Sequence, residues 1–293
     1  MTYVQLSATR RSWIADHATA AAAEAGGVIP VQPMALIESH EITFSPGDYG
    51  NAFDGVLEHR GGRFHIYCNI RDTDYPGSTR NRFTVGHELG HYFIDEHRNA
   101  LASGRVPSHA SFIDKGGSSV IETEANTFSS YFLMPEEDFR RAATKEKPGL
   151  QAIINLSSTF NVSAQAAAIR YVDECPVPCA ALMFRPGKRP WPAVCSTLRK
   201  LGYEYVKATE VSALPDGFAS KSAYTGFVGP GLGTIVEAPS TATFWFADVA
   251  ATSSRNCIIT EQAVRLGIYG VLTLLLFRDL PEPSFKTRNA IAQ

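Results

Sequence analysis

Apolar positions alternate with polar ones at two distinct periods along this chain, and the periods predict its elements. Ser7 to Ala25 is alanine-rich, with Ser7 placed as a helix N-cap and Gly26-Gly27 as its end, so a scaffold helix is expected there. A second short helix is expected from Pro30 to Ser39, with the proline near its first turn. Glu41–Phe44, Phe53–His59 and Arg63–Ile70 read as strands, the last two joined by a hairpin turn at Gly61-Gly62. Within the third run Phe64, Ile66 and Cys68 alternate with His65, Tyr67 and Asn69, a period of two. Asp72 to Arg80 is a polar loop that delivers the chain to Arg82–Phe93. There Phe83, Val85, Leu89, Tyr92 and Phe93 make a helix apolar on most sides, and hence buried. Asp95–Arg98 and the Gly/Ser/Pro-rich stretch 102–119 read as a long loop, with His97 and His109 in surface or loop-structural roles. Val120 to Pro135 is a second apolar helix, stopped by the proline.

Beyond Gly149 the pattern is helix, tight turn, helix. Leu150, Ile153, Ile154, Leu156 and Phe160 form the first apolar face, Asn161-Val162-Ser163 turns, and Ala166–Val172 is the second helix with Ser163 as N-cap. A proline-rich hinge, Cys175-Pro176-Val177-Pro178-Cys179, follows. The strand-like runs after it are Ala180–Phe184, Val228–Glu237, Thr243–Ala247, Cys257–Thr260 and Leu272–Phe277, with a helix near Pro192–Lys200. The expected class is α+β. Three segments are expected: a domain at 1–145, a helix-turn-helix-like module at 146–177 and a C-terminal α+β domain at 178–293.

Charge changes this picture unevenly. The net charge of -2 hides 10 Lys/Arg against 18 Asp/Glu in residues 1–139, while residues 176–221 hold 7 against 3. An acidic first half steers basic proteins toward it more readily than nucleic acid. The helix-turn-helix-like module has Arg170 as its only basic residue between 148 and 175, too little for phosphate contacts, so it is expected to be structural. The basic residues Arg185, Lys188, Arg189, Arg199 and Lys200, interleaved with Trp191, Tyr203 and Tyr205, are candidate contacts for single-stranded nucleic acid. Five cysteines, an odd and sparse set, fit free thiols in a reducing cytoplasm. No apolar run approaches the ~20 residues of a membrane span, and no signal-peptide pattern opens the chain.

The chemistry concentrates in His87-Glu88-Leu89-Gly90-His91. Residues four apart share a helix face, so His87 and His91 can bind one metal ion together, while Glu88 lies on the flank of that face, placed as a general base. Buried histidines and a carboxylate need partners, and zinc supplies one. Catalytic zinc takes three protein ligands, and the next helix offers Glu122 and Glu124. Spacing leaves both open. Cys68, on the strand before the metal helix, is a core residue or, less simply, a regulatory thiol that caps the metal. The same strand is expected to be an open edge to which an extended peptide could add.

Arg82-Phe83-Thr84-x-x-His87-Glu88-Leu89-Gly90-His91 followed by Glu122-x-Glu124-Ala125-Asn126-x-Phe128 and Leu133-Met134-Pro135 resembles the ImmA/IrrE family of bacterial metallopeptidases, over about residues 60–140. The resemblance implies a zincin-like, gluzincin-type domain in which Glu122 is the third ligand and Asn126 orients a ligating histidine. Glu124 is then left as a surface or helix-start charge. It implies that zinc activates a water and polarises a peptide carbonyl, that Glu88 moves the proton, and that the substrate is a helix-turn-helix repressor cut under stress or in defence against phage. One branch of the family carries a GAF-like sensor in the C-terminal place; the basic run from Arg185 to Lys200 makes single-stranded DNA a candidate activator of it. The rival expectation is a DNA-binding transcription regulator with a vestigial metal site.

Overall fold

Ser7 opens the first helix, α1 (Ala8–Glu24), by accepting a hydrogen bond from the Arg10 amide at 3.2 Å. Gly26 and Gly27, both at positive φ, follow its end. In the computed structural model the described residues are 6–280, except 72, 74–77, 109, 113–118, 204–205, 209, 227–228, 230, 248 and 250–255; His109 and Tyr205 therefore lie outside them. The helix α2 (Pro33–Ser39) starts three residues later than expected, with Pro33 rather than Pro30 in its first turn. Strands β1 (Thr43–Gly47), β2 (Gly55–Arg60) and β3 (Arg63–Asn69) form a sheet of order β1-β3-β2. Gly61 and Gly62 have φ of 61° and 78°, the left-handed pair that a two-residue hairpin turn demands.

Four helices follow: α3 (Thr79–Phe93), α4 (Asp95–Ala102), α5 (Val120–Leu133) and α6 (Glu136–Ala143). Ser78 caps α3 and Ser119 caps α5 through their side chains. The helix α4 replaces the loop expected at Asp95–Arg98. Its acidic first turn suits the positive end of a helix, and His97 and Leu101, four apart, are its buried side.

Two units divide the chain: Met1–Arg141 with Ser157–Ser163, and Ala142–Leu156 with Ala164–Gln293. The helix pair α7 (Leu150–Phe160) and α8 (Ala164–Glu174) surrounds the expected turn, where Asn161 has φ of 50°. The unit boundaries fall inside this pair, so the segment 146–177 is shared between the two units. Arg82 reaches the turn inside the first unit, donating to the Asn161 carbonyl at 3.0 Å and the Val31 carbonyl at 2.6 Å.

The second unit has an antiparallel sheet of order β5-β4-β8-β7-β6, with β4 (Cys179–Phe184), β5 (Trp191–Val194), β6 (Val236–Thr241), β7 (Ile258–Arg265) and β8 (Val271–Leu276). Every residue of β4 and β8 is buried, which is why these runs are apolar without alternation. The helices are α9 (Ser196–Lys200), α10 (Ala219–Gly226) and α11 (Ala242–Trp245). The architecture is α+β. Three expectations change. The helix expected near Pro192–Lys200 is confined to Ser196–Lys200, because β5 takes Trp191–Val194. Thr243–Ala247 is not a strand: α11 takes Thr243–Trp245 and Phe246 makes a single bridge to Val206, because a short aromatic run carries no period that separates strand from helix; Trp245 folds back to donate to Ser240 Oγ at 2.9 Å. The run 228–237 contributes only its end, to β6; residues 228 and 230 lie outside the described set.

One buried charge in this sheet predicts a pH effect. Glu261 on β7 is wholly buried; its Oε1 accepts from the Ser220 amide at 2.7 Å and hydroxyl at 2.6 Å, and its Oε2 has no hydrogen-bond partner among the described residues. Burial pushes this carboxyl above the usual carboxylate range, against the Ser220 hydrogen bonds. A raised carboxyl contributes stability that is complete below the unfolded-state pKa and is lost as pH climbs through the folded one. Glu261→Gln keeps the acceptor for Ser220 and removes the charge. It is expected to stabilise by about 1–3 kcal/mol at pH 7.5 and to change little at pH 4. A thermal-melt difference equal at both pH values would reject this account.

Candidate metal centre

Helix-to-helix approach creates the site. On α3, Gly86 and Gly90 are four apart and face α5. A Cβ at Gly86 would lie 2.6 Å from Ser129 Oγ, and one at Gly90 would lie 3.0 Å from the Ala125 Cα and 3.1 Å from its carbonyl oxygen. Ser129 Oγ crosses the gap to donate to the Phe83 carbonyl at 3.0 Å. Two backbones this close bring the Glu122 and Asn126 face of α5 onto the His87 and His91 face of α3.

His87 Nε2 and His91 Nε2 are 3.2 Å apart, and the two Glu122 oxygens lie 3.3 Å and 3.4 Å from them. Arms of ~2.0–2.1 Å in a tetrahedron put ligand atoms about 3.3 Å apart, so the three residues fit a zinc-sized ion with a fourth position left over. They are the one set of three potential ligands gathered in this way among the described residues. His87 Nδ1 donates to Asn126 Oδ1 at 2.9 Å, which leaves Nε2 as the lone-pair nitrogen. Burial pushes His91 down to about 3, with Glu122 opposing, and so favours the neutral, ligating form. Burial acts on His87 in the same sense but is outweighed by Glu122 and Glu88, and its net shift is upward. Spacing left Glu122 and Glu124 open; the geometry puts Glu122 with the histidines.

Glu88, 1% exposed, stands beside Gly55 at the start of β2. A Cβ at Gly55 would meet Glu88 Oε1 at 2.5 Å and Thr84 Cγ2 at 2.6 Å, so only glycine leaves room for this carboxylate. Gly55 also bridges to Ser111, whose amide donates to the Gly55 carbonyl at 2.9 Å. The edge expected on β3 is not there. β3 is the central strand, paired with β1 in parallel and β2 in antiparallel register, and β2 is the edge strand next to Glu88.

Other candidate residues move. Cys68 on β3 is fully buried and accepts from Asn81 Nδ2 at 3.4 Å; burial pushes its thiol up to about 11, so it stays protonated, and it is not among the gathered ligands. Its burial and protonated thiol are those of a core residue. Glu124 is not a surface charge and His97 is not a loop residue: they are 6% and 7% exposed and hydrogen-bond each other at 2.9 Å. Their signal was the four-residue spacing of His97 and Leu101, masked by the polar run around it. Of the nucleic-acid candidates, Lys188, Arg189, Arg199 and Lys200 are exposed. Arg185 donates to Gln165 at 2.6 Å, and Arg199 lies 3.8 Å from Asp173. Tyr203 cannot stack on a base, because it is fully buried against Phe246 and Phe277 at 5.5 Å and 5.2 Å between ring centroids. Among the described residues no helix is long and apolar enough to cross a membrane.

Residues 74–171 match the family described as the IrrE N-terminal-like domain. The radiation response metalloprotease IrrE of Deinococcus radiodurans is 30% identical over 111 residues, which cover 38% of this chain and 33% of that protein. The match thus spans about a third of that relative's length. A transcriptional regulator from Mycobacterium tuberculosis has a similar fold, with a TM-score of 0.54 at 13% identity, over 92% of this chain and 90% of that one.

Proposed function

Residues 74–171 belong to the ImmA/IrrE family, and from that premise we propose that this chain is a zinc-dependent endopeptidase that makes a site-specific cut in a helix-turn-helix transcriptional repressor. The observation that carries the proposal is the three-cornered gathering of His87, His91 and Glu122 at 3.2–3.4 Å, with Glu88 buried on the next position of α3. Bound there, zinc supplies a Lewis acid that polarises a carbonyl and acidifies water toward a pKa of ~7. Glu88 takes the proton from the attacking water and returns it to the departing amine nitrogen. Asn126 fixes the His87 ring, so the ligand face does not rotate. Gly55 is already bridged to Ser111, so an extended peptide would add to the outer edge of β2 past that bridge, on the strand that adjoins Glu88. The acidic balance of residues 1–139 favours a basic substrate, as DNA-binding repressors are.

The second unit, with its five-stranded sheet, is read as a GAF-like sensor that adjusts this activity under stress. The test is direct. The purified full chain, Zn2+ and a candidate helix-turn-helix repressor are incubated with and without single-stranded DNA, and the products are separated by size. Two repressor fragments that vanish with a chelator are expected. An intact repressor in every arm, together with a gel shift of duplex DNA by the chain itself, would favour the DNA-binding regulator with a vestigial metal site. The intact ligand set speaks against that rival.

A further inference from the structure

A second hydrogen-bonded chain leaves the metal centre through His91. Its Nδ1 lies 3.2 Å from His97 Nδ1; His97 Nε2 lies 2.9 Å from Glu124 Oε2. Arg10, on α1, clamps the same carboxylate with its fork, Nε to Oε1 at 2.7 Å and Nη2 to Oε2 at 2.9 Å. The remaining Arg10 nitrogen, Nη1, donates to Glu96 at 3.0 Å, and the guanidinium sits 4.6 Å over the Trp13 ring.

Proton placement along this chain is forced. His91 can turn a lone pair on Nε2 toward His87 and Glu122 only if its proton is on Nδ1. His97 Nδ1 must then accept, which puts the His97 proton on Nε2, where it is donated to Glu124. Glu124, an acceptor only, takes one bond from His97 and two from Arg10. With His97 neutral, no link can be reversed without leaving two donors or two acceptors face to face. A part-buried charged pair such as Arg10 and Glu124 contributes little net stability once the desolvation of its buried carboxylate is counted, so the fold alone does not account for placing one behind a ligating histidine.

We propose that His97, Glu124 and Arg10 form a positioning relay for the metal centre, which fixes the His91 ring and strengthens its Nε2 as a donor, so that the N-terminal helix α1 sets metal affinity. The proposal rests on the metal-site reading above, and deepens it. His87 ends on a neutral amide, Asn126, whereas His91 ends on a carboxylate held by a cation; the two ligands are thus unequal by construction.

The test uses the full chain and needs no peptide substrate. Zn2+ affinity is read by competition with a chromophoric chelator, ligand field by the visible spectrum of the Co2+ form, and stability by the melting of the metal-free protein. Outer-shell partners of a ligating histidine typically change affinity by ~10–100-fold. His97→Phe and Glu124→Gln are expected to weaken Zn2+ in that range and shift the Co2+ spectrum. Arg10→Met, one link further out, is expected to weaken it less, and Arg10→Lys to recover part of the loss. Phe139→Leu, which loosens the buried contact with Phe160 elsewhere in the same unit, is the stability control. Wild-type Zn2+ affinity in Glu124→Gln, or an equal loss in Phe139→Leu, overturns the relay. Weakened metal in the relay variants of a chain that cuts no repressor keeps the relay and removes the peptidase reading, so the two fail separately.

Discussion

On the peptidase reading proposed above, Glu88→Gln is expected to hold zinc as the parent chain does and to cut its substrate about 10²–10⁴-fold more slowly. The two halves of this result come from different residues. Metal retention follows from His87, His91 and Glu122, which supply the three close-set ligand atoms and do not include Glu88. Rate loss follows because glutamine has the shape of glutamate and fits the room left by Gly55, but its amide cannot take a proton from water at neutral pH. Metal content by elemental analysis and repressor cleavage by gel check both halves on one preparation. Unchanged turnover would remove Glu88 as the base. Loss of metal would place Glu88 among the ligands instead. Glu122→Gln marks the contrast: there metal and cleavage are expected to fall together, since the ligand itself is weakened.

The pair Glu122 and Glu124 shows how much of the site the sequence carried. Two carboxylates two residues apart point to different sides of a helix, and spacing cannot say which side meets the histidines. The structure uses both, Glu122 toward His87 and His91 and Glu124 toward His97 and Arg10. The second role was hidden for a local and a distant reason. Locally, Asp95-Glu96-His97-Arg98 is too polar to look like a helix, although His97 and Leu101 share a buried face. At a distance, Arg10 meets Glu124 across 114 residues, and no periodicity encodes such a partner. The sheets divide along the same line. Gly61-Gly62 announced a hairpin because its backbone demand is local, whereas the central place of β3 depends on β1 pairing in parallel from the far side of a loop. Likewise the apolar run that became β8 announced a buried element, strand or short helix, whereas Thr243–Ala247 read as a strand and Ala242–Trp245 formed α11.

The other large effect is expected from Gly90. Replacing a helix-interior glycine by alanine ordinarily stabilises, by about 1 kcal/mol, so propensity and packing oppose each other here and the sign is informative. The new Cβ would stand 3.0 Å from the Ala125 Cα, 3.1 Å from its carbonyl oxygen and 3.2 Å from the Phe128 Cβ. Backbone atoms cannot rotate aside as a side-chain tip can, so α5 itself must move, and overpacking of this kind costs ~1–3 kcal/mol. Gly90→Ala is therefore expected to lower the melting temperature despite its propensity, and Gly90→Val to lower it further. The same displacement carries Glu122 away from two histidine nitrogens that it meets at 3.3 Å and 3.4 Å, so zinc affinity falls in the order glycine, alanine, valine. Gly62→Ala, at a hairpin turn with open space around the added carbon, is the control, strained at its φ of 78° but remote from the helix contact. It should cost stability and leave zinc affinity unchanged. Should Gly90→Val bind zinc as tightly as the parent, the spacing of α3 and α5 would not be what sets the ligand geometry, and the match between helix approach and tetrahedral edges would be coincidence.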